Sequence, residues 1–231
     1  MRRLFLPLPR DNRGQRVTQL GVGLVIYGVS SSLLVIGGLG LVPWDVLHQG
    51  LQRQTGIAIG TWSILVGLVV LLLWIPLREK PGWGTVSNAI LIGGTIDVVL
   101  WLVPSAHGTL LRWGCCLVGV LLNGIATGMY IGAGLGPGPR DGLMTGFARR
   151  SGHSLRLVRT TLEATVLVFG WVLGGTVGVG TVIYLLAIGP LAHTLVPIFS
   201  RYPSAAASIE GDRDQGSIGV SERMPHSTQE P

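Results

Sequence analysis

A chain of 231 residues with 48% hydrophobic and 12% charged residues, and a mean hydropathy of +0.54, has too little polar surface to cover a soluble fold. The net charge of +6 and isoelectric point near 10.1 come without a basic face interleaved with aromatics, which excludes nucleic-acid binding. The expectation is an integral membrane protein whose first partner is the lipid bilayer.

Residues 1–16 form a basic N-terminus with Arg2, Arg3, Arg10, Arg13 and Arg16. Its short apolar stretch Leu4–Leu8 is interrupted at Pro7, is followed by Pro9 and has no small-residue cleavage pattern, so it does not read as a signal sequence. Six apolar runs follow: Val17–Ile36, Ile57–Leu77, Val86–Val103, Trp113–Ala133, Thr160–Val177 and Val179–Ile198. Each is near the ~20 residues that a helix needs to cross ~30 Å of hydrocarbon. They lack the ~10-residue alternation of a membrane barrel, so the expected fold is an all-α polytopic membrane protein of six transmembrane helices. Residues 201–231 have no periodic apolar pattern and read as a disordered tail.

With both termini in the cytoplasm, only Arg53 and Arg112 of the 17 lysines and arginines fall outside, a strong positive-inside pattern. Cys115 and Cys116 are adjacent within one span, carry no metal-ligand spacing and do not fix the redox compartment. No cofactor is called for.

The chain matches itself without a gap at a shift of 96 residues: Gly38-Leu39-Gly40 falls on Gly134-Leu135-Gly136, Pro43 on Pro139, Asp45 on Asp141, and Gly84-Thr85-Val86 on Gly180-Thr181-Val182. Residues 17–104 and 113–200 are therefore read as two membrane repeats. Three spans each, an odd number, would set the second half into the bilayer from the opposite side, as two inverted three-helix repeats. Secondary transporters use this symmetry recurrently, and channels also have it.

After each Gly-Leu-Gly, the segments Pro43–Thr55 and Pro139–Ser151 predict short helices that at ~1.5 Å per residue cannot span. They are either amphipathic helices on the surface or re-entrant half-helices. Gly38, Gly40, Gly134 and Gly136 would make the turns and Pro43 and Pro139 start the helices. Free N–H groups at such a start can hold a polar substrate group, with Trp44, Asp45, Arg140 and Asp141 along the path. The plainer reading is that both aspartates only favour the helix dipole.

Asp97 lies mid-span, where an ionised carboxylate costs at least ~2.5 kcal/mol, so it needs water, a partner or a proton. Its repeat equivalent is His193, and the two could share a proton site; alternatively Asp97 is a structural acid and His193 an ordinary polar residue near a helix end. Glu163 sits one turn from Arg159 and can be neutralised locally. Asn123 is mid-span, opposite Tyr27 in the repeat, and suits either helix-to-helix hydrogen bonding or a cavity wall. Gly124, Gly128, Gly132 and Gly136 form a small-residue ridge that places the first and fourth spans at the centre, against each other; a homodimer interface is the competing use.

The segments GLGLVPWDVLHQGLQRQTGIAIGTWSILVGLVVLLLWIPL, GAGLGPGPRDGLMTGFARRSG and GVGTVIYLLAIGP resemble the YczE group of bacterial membrane proteins, related to the YitT group. The resemblance runs from the first span to Pro197 and implies a multi-pass protein of the bacterial plasma membrane, with no site residues to carry over. A secondary transporter or exporter of a small molecule, proton-coupled through Asp97, is the leading expectation. The alternative is a non-transporting membrane accessory protein supporting another protein or pathway. An enzyme is not expected, because no metalloprotease, nucleophile-elbow or phosphate-loop pattern is present.

Overall fold

The computed structural model describes residues 12–200, and every regular element among them is an α-helix. In chain order these are α1 (Arg13–Gly37), α2 (Pro43–Thr55), α3 (Ile59–Leu77), α4 (Trp83–Leu102), α5 (Thr109–Gly132), α6 (Pro139–Ser151), α7 (Leu155–Val172) and α8 (Val179–Phe199). The expected short helices 43–55 and 139–151 have the expected bounds. The basic N-terminus up to residue 11 and the tail 201–231 lie outside the described residues.

Helices α1, α3, α4, α5 and α8 are long and apolar enough to cross a membrane. The remaining long helix, α7, differs from its expected span of 160–177. Ser154 caps its start, accepting from Leu157 N–H at 3.3 Å, so the helix takes in Arg156, Arg159 and Glu163. It ends at Val172, because the chain then turns through Gly174 at φ 99°. Apolarity marked where the chain is greasy; the cap decides where the helix begins.

Burial is arranged as lipid requires. Leu72, Ile75, Trp101, Leu110, Val172 and Leu186 face outward, whereas Ser30, Ser32, Asp45, His48, Thr85, Asn123 and Thr181 are buried. Polar groups turned inward and large apolar groups outward identify a membrane protein, since hydrocarbon cannot satisfy them.

Each of the first four helices starts 96 residues before its counterpart: Arg13 and Thr109, Pro43 and Pro139, Ile59 and Leu155, Trp83 and Val179. Two backbone contacts between the halves recur at the same 96-residue shift. Gly84 N–H donates to the Leu135 carbonyl at 3.0 Å, and Gly180 N–H to the Leu39 carbonyl at 2.8 Å. Both bonds depend on a left-handed turn at Gly40 (φ 130°) or Gly136 (φ 116°). There a Cβ would run into Thr181 and Gly178, or into Gly82 and Thr85.

The α1–α5 pair forms the centre; α4 packs on α1, α8 on α5, α2 on α7 and α3 on α6. The glycine ridge of α5 takes a partner other than the expected first span. Gly124 faces Leu191, and Gly128 and Gly132 face Leu195 and Phe199, all on α8. Helix α1 meets α5 instead at Gly23, Gly37 and Gly119. Gly132 looks out of the central pair toward Phe199 of α8, while Gly23 looks into it toward Met129 and Tyr130 of α5.

The largest departure from reciprocity is at α3 and α4. Helices α3 and α4 close on each other at Gly60 and Gly93, which leave no room for a Cβ, and at Gly67 against Ala89. Their counterparts α7 and α8 barely touch.

Candidate functional site, a polar cavity between two short helices

The two short helices begin alike and converge. Pro43 and Pro139 fill the first helical position, where the missing N–H is no loss, and Asp45 and Asp141 follow in the first turn. On α2, Asp45 is 2% exposed and His48 fully buried, with His48 Nδ1 at 3.2 Å from Asp45 Oδ1. From α6, Arg140 brings a guanidinium nitrogen to 4.0 Å from the same oxygen. The guanidinium lies 5.0 Å over the Trp44 ring and also reaches Ser63 Oγ at 3.5 Å. A buried carboxylate is tolerable here because a cation and an imidazole share its charge.

Asp141 accepts a short hydrogen bond from the Tyr130 hydroxyl, and Tyr130 meets Tyr27 edge-on at 6.2 Å. Asn123 ties three helices together, its Nδ2 donating to Ser30 Oγ at 2.8 Å and its Oδ1 accepting from the Tyr184 hydroxyl at 3.3 Å. Of the two uses the sequence left open for Asn123, helix-to-helix hydrogen bonding is the one these bonds make.

These groups enclose a cavity of about 90 Å³ walled by Tyr27, Trp44, Tyr130, Arg140, Asp141 and Tyr184, room for a few waters or a small polar group. The Trp44 Nε1 and His48 Nε2 atoms are buried without a hydrogen-bond partner, so donor or acceptor capacity is left over in this region. At one end the wall passes to Arg159, Glu163 and Ile188, which also line an open groove of about 640 Å³ between α7 and α8. Arg159 Nε donates to Glu163 Oε1 at 2.9 Å, the local neutralisation expected.

Of the residues singled out in the sequence, Trp44, Asp45, Arg140, Asp141 and Glu163 come together here. Gly38, Gly40, Pro43, Gly134, Gly136 and Pro139 form the two turns beneath them. Asp97 stands elsewhere, on the α3–α4 seam. Its two oxygens accept from Gly60 N–H at 2.6 Å and Thr61 Oγ1 at 2.8 Å, so it caps the start of α3 from the neighbouring helix. His193 is exposed on α8, and α4 packs on α1, α3 and α6 rather than on α8, so the structure does not bring Asp97 and His193 together. His48, Tyr130, Tyr184 and Arg159 were not singled out as site residues. A signal existed: three of the chain's 4 tyrosines fall within apolar helical runs, where a hydroxyl must find a partner inside the protein.

Among the described residues no three His, Cys, Asp or Glu side chains gather at metal-binding range. No solved structure matches the chain significantly. Among curated proteins it is 39% identical over 180 residues to an uncharacterized protein of Haemophilus influenzae, covering 78% of this chain and 83% of that one. It is 34% identical over 180 residues to the uncharacterized membrane protein YczE of Bacillus subtilis, covering 76% and 82%. It is 29% identical over 186 residues to the uncharacterized protein YyaS of the same organism, covering 79% and 92%. The model of a family of unknown function, DUF6198, matches residues 14–197; the chain, a helical membrane protein resembling YczE, belongs to that family.

Proposed function

We propose that the protein is a secondary transporter of a small molecule, working by alternating access between two inverted halves, with α7 as the sixth span and both termini cytoplasmic. One observation carries this reading. The starts of two half-length helices, one from each half, meet at a cavity whose wall runs on into an open groove between α7 and α8. An exchange of roles between the halves would close α7 on α8 and open α3 from α4, presenting the same cavity to the other side. A coupling proton would sit on the buried Asp45–His48 pair, since Asp97 is engaged in capping α3.

Reconstituted protein with an imposed pH gradient, scored for flux across a panel of small molecules, tests the reading. Asp141→Asn keeps the local geometry and removes the charge, and is expected to abolish flux at normal expression. Full activity in that variant would return Asp141 to a helix-dipole role. Orientation is tested by single cysteines at Gln54 and Ser151 in a background lacking Cys115 and Cys116. Labelling of both by an impermeant reagent from one side sinks the inverted arrangement.

The engagement of Asp97 also favours the second reading, a non-transporting accessory protein, which needs no mobile intramembrane proton. Absence of flux in the wild type across the whole panel would put that reading first.

A further inference from the structure

The groove between α7 and α8 is built by the sequence. The repeat equivalents of Gly60, Gly67 and Ala89, which let α3 close on α4, are Arg156, Glu163 and Leu185; only Gly93 keeps its glycine, as Gly189. Large side chains stand where small ones formed the seam, and the helices stay apart around a space of about 640 Å³. That is within the ~300–1,000 Å³ of small-molecule sites.

Its two ends differ chemically. Arg156, Arg159 and Glu163 lie toward the start of α7, while Ala164, Leu167, Leu185 and Ile188 supply a long apolar wall. Arg159 is paired with Glu163, whereas Arg156 makes no ion pair among the described residues, leaving one uncompensated cation at the polar end. A cation above an apolar trough between two membrane helices fits one kind of occupant.

We propose that the groove binds a bilayer amphiphile with an anionic head and one hydrocarbon chain, head toward Arg156 and chain along Ala164, Leu167 and Leu185. Through Arg159, Glu163 and Ile188 the groove adjoins the central cavity, so the bound head lies beside the polar site. The inference rests on the transporter reading only in naming the amphiphile as substrate; the binding site stands on the groove itself.

Radiolabelled dodecyl phosphate, measured on the full chain in phosphatidylcholine nanodiscs against empty nanodiscs, is the probe. Saturable binding is expected, unaffected by excess inorganic phosphate and by dodecyltrimethylammonium. Arg156→Gln should weaken it about tenfold and Arg156→Lys restore most of it. Gly189→Leu should abolish it, because Gly189 lines the groove and a Cβ there meets nothing within 4 Å, so the added side chain has the groove to enter. Equal competition by dodecyltrimethylammonium, competition by inorganic phosphate alone, or unchanged binding in well-folded Gly189→Leu overturns the proposal. Saturable binding without flux of the amphiphile leaves the site in place and counts against the transporter reading. Flux of another solute with no dodecyl phosphate binding does the reverse.

Discussion

The α3–α4 seam and the α7–α8 groove are the same place in the two halves of the chain, and they have opposite characters. In the seam, backbone meets backbone at Gly60 and Gly93, and Asp97 reaches across to cap α3. In the groove, Arg156 stands in place of Gly60, Ser154 caps α7 from the residue just before it, and His193 in place of Asp97 faces outward. Helices in lipid are held by close packing and internal hydrogen bonds, with no hydrophobic force between them. Losing the small residues therefore separates a helix pair. Of two helix pairs 96 residues apart, one is a fixed contact and the other an opening.

The largest effect should come from adding a single methyl to each side of this comparison. Gly93→Ala forces a Cβ into the Gly60 carbonyl and Ile64, overpacking expected to destabilise by about 3 kcal/mol. Gly189→Ala has open space, and the gain in helix propensity makes it neutral or stabilising by up to about 1 kcal/mol. Thermal unfolding of the two variants in one detergent measures the difference. Equal midpoints would mean that the seam is not held by backbone contact.

The two ends of this comparison were not equally legible in the sequence. The starts of α2 and α6 were readable because glycine, proline and aspartate act locally: the turn, the fixed φ and the dipole all point to one helix start. The cavity was half readable. Asp45 and Asp141 are marked by their repetition, but His48, Tyr130 and Tyr184 become site residues only when α2, α5 and α8 converge, which no local rule specifies. Asp97 shows the opposite case. Its midpoint depth in an apolar run suggested function, whereas its partner is an unsatisfied helix start 36 residues earlier in the chain, at Thr61.

The capping role predicts an intermediate effect. Asp97→Ala removes both acceptors from the start of α3 and should cost about 1–2 kcal/mol, the range for a lost N-cap. The repeat-equivalent change, His193→Ala on an exposed face of α8, should fall within about 0.5 kcal/mol of the wild type. Unfolding midpoints decide this too. A His193 variant as damaging as the Asp97 variant would show that the two positions share a structural duty across the repeat.

The smallest effect is expected at the charged pair in the groove. Arg159 is 44% exposed and Glu163 17%, and they lie one helical turn apart on α7. Such pairs contribute about 0.3–0.5 kcal/mol, because two long side chains must be held still for a Coulomb attraction that neighbouring polar surroundings weaken. A double-mutant cycle of Arg159→Gln and Glu163→Gln, read by thermal unfolding, should return a coupling of that size. The seam offers nothing to compare with it: the repeat equivalents Ser63 and Gly67 carry no charge, so no ion pair spans a turn of α3 there. If the pair acts only within α7, its coupling stays small whatever occupies the groove. A coupling above about 1 kcal/mol would place Arg159 and Glu163 in a tighter network with Asp141 and Tyr184 across the cavity wall, and the groove would then be braced from within as firmly as the seam is closed.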